Sequence, residues 1–170
     1  MVSPSIGAAL ESNRMAVAEY VAAAIDVSMS KWAEPRSPGK WSPAQVTEHL
    51  AVAYELGSQI VDGTIELPGW KPPWFLRPLI RTLTRATVLR TGKFPKATTS
   101  AAFEPSLRPG PRHVVCERLR RASDSFEQRA DDRVRAGLIM LQHPYYGRFA
   151  IEEYVRVQAY HTLHHRLQIL

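Results

Sequence analysis

The sequence predicts an all-α protein, a four-helix bundle in which a long irregular, basic crossover joins the second helix to the third. Two observations carry this. Four segments repeat apolar residues at the i, i+3, i+4, i+7 spacing of an amphipathic helix, and none alternates apolar with polar as a half-buried strand does. No internal repeat is present, so a bundle is the simplest way to bury one apolar stripe from each helix. At 170 residues, 45% of them apolar and 22% charged, the chain is long enough for one domain spanning 1–170 with its own core.

The first helix is expected over residues 6–27. It is rich in alanine, and Leu10, Met15, Val17, Tyr20, Val21 and Ala24 form its apolar stripe. Residues 34–39 (EPRSPG) are a loop, because two prolines and a glycine do not continue a helix. Ser42-Pro43-Ala44-Gln45 then opens the second helix. Serine caps free N–H groups, proline suits the first helical position, and glutamine three residues on closes a capping box. Val46, Leu50, Ala53, Leu56 and Ile60 line one face of this helix, His49 shares that face, and Asp62-Gly63 ends it.

Residues 68–76 (PGWKPPWFL) read as a proline and tryptophan loop, residues 79–89 as a short basic helix, and residues 91–112 as irregular chain. Between Glu66 and Glu104 there is no acidic residue, while Lys71, Arg77, Arg81, Arg85, Arg90, Lys93 and Lys96 lie there. The net charge of +6 therefore sits in one segment. A third helix is expected over 112–135, with Val115, Leu119, Ala122, Phe126 and Ala130 on its apolar face. Residues 143–147 (HPYYG) read as a turn. The last helix runs from about residue 151 and places Tyr154, Val157, Gln158, His161, His165 and Gln168 on one face.

The same arrangement suggests chemistry. His161 and His165, four apart, stack two imidazoles on one helix face, close enough to grip one ion. Neutral imidazole suits zinc, nickel, copper and ferrous iron. A third ligand must come from elsewhere, and His49 lies on a core-facing stripe. Three protein ligands with open positions mark a catalytic site rather than a closed structural one. Competing readings stand beside this one. His49 alone reads as a hydrogen-bonded core histidine, and the 161/165 pair also fits a solvated helix end that welcomes cations. His161/His164 is a second possible pair, although His164 projects away from His165 and reads as a supporting or surface residue. His113 and His143 do not read as ligands. Tyr154, Gln158 and Gln168 could line the pocket or support the ligands, with helix packing as the alternative. Cys116 reads as a buried structural thiol.

Two segments carry a resemblance to a known family. Lys40-Trp41-Ser42-Pro43-Ala44-Gln45-Val46-Thr47-Glu48-His49-Leu50 resembles the kWSpaeiveHl segment of the DinB-like (damage-inducible) superfamily. Residues 143–169, HPYYGRFAIEEYVRVQAYHTLHHRLQI, resemble its C-terminal segment, HP..G..s..ey......H..HH.rQi. The resemblance implies an up-down-down-up bundle, a divalent metal on His49, His161 and His165, and a homodimer. The superfamily resembles low-molecular-weight-thiol transferases acting on small electrophiles, which implies zinc or nickel, with iron as a further option, and a thiol co-substrate. A metal-dependent hydrolase and a non-catalytic metal-binding module are the alternatives. The sequence departs from the pattern where Phe149-Ala150 replaces the Ser or Thr that caps the last helix, and the basic middle matches no motif of the family.

With Trp70, Trp74 and Phe75, the stretch 70–96 could meet nucleic-acid phosphates or an anionic membrane surface. A solvated crossover with its tryptophans tucked inward is the preferred reading. One cysteine allows no internal disulfide, the N-terminus lacks the pattern of a signal peptide, and no apolar run reaches the ~20 residues of a membrane helix, so a cytoplasmic protein is expected.

Overall fold

The computed structural model describes residues 6–65, 77–94, 100–143 and 147–170. In chain order its elements are α1 (Ile6–Asp26), a one-turn helix α2 (Met29–Trp32), α3 (Pro43–Asp62), α4 (Arg77–Thr91), a 3-10 turn (Ala101–Phe103), α5 (Arg112–Arg135), strands β1 (Met140–His143) and β2 (Gly147–Ala150), and α6 (Ile151–Ile169). The long helices α1, α3, α5 and α6 pack around one core, α3 chiefly against α5 and α1 chiefly against α6. Tyr20, Tyr54, Leu50, Leu119, Phe126, Phe149 and Ile151 are fully buried in it. Each such side chain contributes at most ~1.5–3 kcal/mol relative to exposure.

Local chemistry sets the helix ends. At α3 the Gln45 N–H donates to Ser42 Oγ at 3.3 Å and the Ser42 N–H donates to Gln45 Oε1 at 3.0 Å, the reciprocal box the sequence predicts. Gly63, at φ +71°, closes α3 in the left-handed conformation that costs glycine nothing. The C-terminus of α1 is held from outside by the Arg112 guanidinium, which donates to the carbonyls of Ala24, Ile25 and Val27.

Gly57 fixes how closely the helices cross. A Cβ there would lie 2.7 Å from Gln158 Nε2 and 3.3 Å from both the Phe126 ring and Tyr154 Oη. Glycine costs ~1 kcal/mol against alanine inside a helix, and here it gives α5 and α6 room against α3. Two turns earlier on α3 stands His49, so this crossing sets how His49 meets α6.

Several expectations are corrected. The sequence showed no strand, yet Met140–His143 and Gly147–Ala150, on either side of the expected turn, pair antiparallel, Met140 with Ala150 and His143 with Gly147. Four-residue strands are too short for alternation to stand out. His143, at the end of the first strand, is buried. Met15, placed on the apolar stripe of α1, is 56% exposed, while Asn13 is fully buried. The basic helix is longer than expected, and Val88 enters the core from it. Arg85 of α4 pairs with Glu153 and lies over the Phe149 ring, so this cation docks α4 on α6. Although Ala150 offers no capping oxygen, its N–H donates to Glu153 Oε2 at 3.2 Å, so the first turn of α6 is half-capped from within. Trp70, Trp74 and Phe75, the loop 68–76, Lys71, Lys96 and the Pro144-Tyr145-Tyr146 step lie outside the described residues.

No helix among the described residues is long and apolar enough to cross a membrane.

Candidate metal centre

His49 is the seventh residue of α3 and faces inward with Val46, Leu50 and Ala53, all buried. Across from it, α6 presents His161 and His165 one turn apart. His49 and His165 are buried, and His161 keeps partial contact with solvent. The ligand atoms of the three lie within 4.8 Å of one another. His161 Nε2 is 3.0 Å from His165 Nε2 and 3.4 Å from His49 Nε2. Ligands ~2.0–2.1 Å from a tetrahedral ion stand roughly 3.3 Å apart, so the spacing fits one ion.

The outer nitrogens decide what the inner ones can do. His49 Nδ1–H donates to the Phe103 carbonyl at 2.7 Å, and His165 Nδ1–H donates to Gln168 Oε1 at 2.8 Å. A neutral imidazole carries one proton. With Nδ1 protonated on both rings, both Nε2 lone pairs point at His161 Nε2, which has at most one proton for the two of them. The cluster is thus an arrangement of converging lone pairs, short of hydrogen and complementary to a cation.

Burial keeps the rings neutral. Desolvation lowers the His49 pKa, and the Phe103 carbonyl opposes this. It lowers His161 well below the ordinary histidine value, helped by charge repulsion from His165, His49 and His164. His165 is pushed down to about 3 by burial and then by His49, with the Gln168 hydrogen bond pulling the other way. At pH 7 all three offer a lone pair.

Aromatic rings wall the cluster. Trp41 lies 4.9 Å from His49 between ring centroids, and Phe94 lies 5.4 Å from His161 and 5.8 Å from His164. Both are partly buried. Glu48, beside His49 in sequence, turns away to Arg118 and to the N–H of Ser106.

Of the other residues singled out in the sequence, His164 is half-buried and close to His165, and Gln168 bridges the two. Tyr154 and Gln158 stand at the helix crossing. The Tyr154 ring meets Phe126, Phe149 and His143, and Gln158 Nε2 donates to the Ala53 carbonyl at 3.2 Å. His143 meets the Tyr154 ring edge-on at 5.0 Å between centroids, one side of that crossing. Cys116 is buried, and desolvation raises its pKa, which disfavours the thiolate. The Phe103 carbonyl was invisible in the sequence, because a backbone acceptor has no residue signature. Trp41 stood out only as part of the segment that resembles the family, and Phe94 carried no signal of its own.

The family model of the DinB superfamily matches residues 9–169 of this chain. No curated protein and no solved structure matches it.

Proposed function

This chain belongs to the DinB superfamily, and on that premise we propose that it is a divalent-metal-dependent enzyme, a low-molecular-weight-thiol S-transferase acting on small electrophiles. The observation that carries the metal is the convergence of the His49, His161 and His165 Nε2 atoms with two of their Nδ1 protons engaged elsewhere. Three neutral imidazoles suit zinc or nickel, and ferrous iron as a further option.

His49, His161 and His165 would hold the ion, which would supply Lewis acidity and lower the pKa of a thiol substrate. The protein's own part is to orient, enclose and exclude water. The Phe103 carbonyl and Gln168 fix the two imidazole tautomers, and such outer partners are worth ~10–100-fold in metal affinity. Trp41 and Phe94 give the small-molecule substrate an apolar wall. Glu48 is committed to Arg118 and to a backbone N–H and so is not free to serve as the base that would activate water; this favours a thiol, which is the more acidic nucleophile and would lose its proton to solvent.

The up-down-down-up order belongs to the same reading. Glu48 and Glu55 of α3 pair with Arg118 of α5, and Asp62 pairs with Arg129, which supports α3 and α5 running the same way. Asn13 and Tyr20 of α1 meet Tyr54 and Thr47 of α3, which supports an opposite course for α1. A homodimer and a cytoplasmic location complete the proposal.

The test is a thiol-transfer screen on metal-loaded, tag-free protein, with small thiols against electrophilic acceptors. Turnover that needs both metal and thiol supports the proposal. Hydrolysis of esters or amides without thiol would move it to the hydrolase reading. A shift assay with nucleic acid at low and high salt separates the remaining alternative, contact through 70–96.

A further inference from the structure

We propose that Gln168 is a positioning residue that turns His165 toward the ion and holds His164 away from it, and that Arg36 secures the helix end that carries Gln168. This rests on the metal reading above and goes beyond it, because it says which of two histidine pairs is used and why.

α6 carries three histidines within five residues. His161/His164 and His161/His165 are both spaced to share a helix face, and the His164 and His165 rings are only 5.2 Å apart between centroids. Spacing therefore does not choose between them. Gln168 lies three residues after His165 and four after His164, within reach of both. Its amide is two-sided, with an acceptor oxygen and a donor nitrogen. The oxygen, 2.8 Å from His165 Nδ1, accepts the proton there and leaves the His165 Nε2 lone pair facing His161. The nitrogen, 3.1 Å away, donates to His164 Nε2 and occupies the lone pair by which that ring would bind an ion. One side chain thus makes one neighbour a ligand and the other a non-ligand. With the amide turned over, its NH₂ would face His165 Nδ1, move the ring proton to Nε2 and abolish ligation.

Gln168 is in the last turn of α6, where the final carbonyls have no partner within the helix. Arg36, from the loop before α3, supplies one. Its Nη1 donates to the Leu167 carbonyl at 3.2 Å and to the Gln168 carbonyl at 2.6 Å. A cation at a helix C-terminus is also favoured by the dipole. The loop preceding the His49 helix therefore holds down the turn that orients His165.

The experiment uses the full chain, tag-free and stripped of metal. Zinc affinity is measured by competition with a chromophoric chelator, and the ligand set is read from the visible spectrum of the cobalt-loaded protein. We expect Gln168→Ala to weaken zinc binding ~10–100-fold, Gln168→Glu, which keeps an acceptor for His165, to bind within about threefold of wild type, and Arg36→Ala to fall between them. His164→Ala alone should leave the cobalt spectrum unchanged, whereas His164→Ala added to Gln168→Ala should change it, because without the Gln168 amide His164 is free to compete. Wild-type affinity in Gln168→Ala, or equal weakness in Gln168→Ala and Gln168→Glu, overturns the inference while leaving the metal site standing. A folded wild type that binds neither zinc nor cobalt overturns both.

Discussion

Around Tyr54 the helices bury a polar network whose donors and acceptors are matched; around His161 they bury three nitrogens that face one another. In the first region Asn13 Nδ2 donates to Ser123 Oγ at 3.1 Å and to Glu127 Oε1 at 2.8 Å, while its Oδ1 accepts from Tyr54 Oη at 2.7 Å. Arg14 Nε closes the network on Glu127 at 2.8 Å, and Thr162 meets Tyr54 Oη at 2.9 Å. In the second, two ring protons are spent on Phe103 and Gln168 and the lone pairs converge. Both are polar interiors of one fold. A matched network specifies how helices pack. A mismatched cluster, deficient in protons, is where an external cation belongs. Burial alone does not mark a site; the sign of the unmet hydrogen-bonding demand does.

The largest expected effect separates the two regions by what they hold together. Asn13→Ala removes three buried hydrogen bonds, to Ser123, Glu127 and the Tyr54 hydroxyl, and should cost about 3 kcal/mol in denaturant unfolding, since each is worth roughly 1 kcal/mol. Its zinc content should equal that of wild type. Lost zinc there would mean that the two regions are not independent.

His49→Ala should act on the other region. The metal-free protein should lose about 1–3 kcal/mol, because the Phe103 carbonyl is left without its partner, and the stabilisation by added zinc disappears altogether. At 100 times the dissociation constant that stabilisation is about 2.7 kcal/mol, readable as a melting-temperature shift. A zinc shift that survives the substitution would take His49 out of the ligand set.

The regions also respond to pH with opposite sign. The folded histidines have lowered pKa values, so the unfolded chain binds more protons as pH falls below its own value of ~6.5. Metal-free protein should therefore lose stability from about pH 6.5 downward. Glu127 is raised by burial, so its contribution is present in acid and is lost as pH rises through its folded value. Thermal melts in chelator from pH 7.5 to 5 check this. His165→Gln should flatten the slope, and Glu127→Gln should not.

The smallest effect is Glu127→Gln itself at pH 7. The Arg14 pair it removes is partly exposed, so the change should stay within ~1 kcal/mol in chemical unfolding. A larger loss would show that the carboxylate charge, rather than its hydrogen bond to Asn13, organises the network.

The same contrast governs what the sequence reveals. Capping residues and apolar periods act within a few residues, and so α3 with its Ser42/Gln45 box and α5 are legible, as is the one-turn spacing of His161 and His165. Asn13 is not, because a polar residue on an apolar stripe gains a meaning only from Tyr54, Ser123 and Glu127, which are 41 to 114 positions away. The Phe103 carbonyl has no side-chain signature. The hairpin at 140–150 is too short to show a period. The metal ligands were found as residue types, while the choice between His164 and His165 depends on where Gln168 points its amide.

The most direct test of the central claim is calorimetric zinc titration of metal-stripped, tag-free protein beside His161→Ala and His165→Ala. The account predicts one zinc per chain in the wild type and loss of that binding in both variants, with folding retained by circular dichroism. A folded wild type that takes up no zinc, or variants that take it up unchanged, would contradict it.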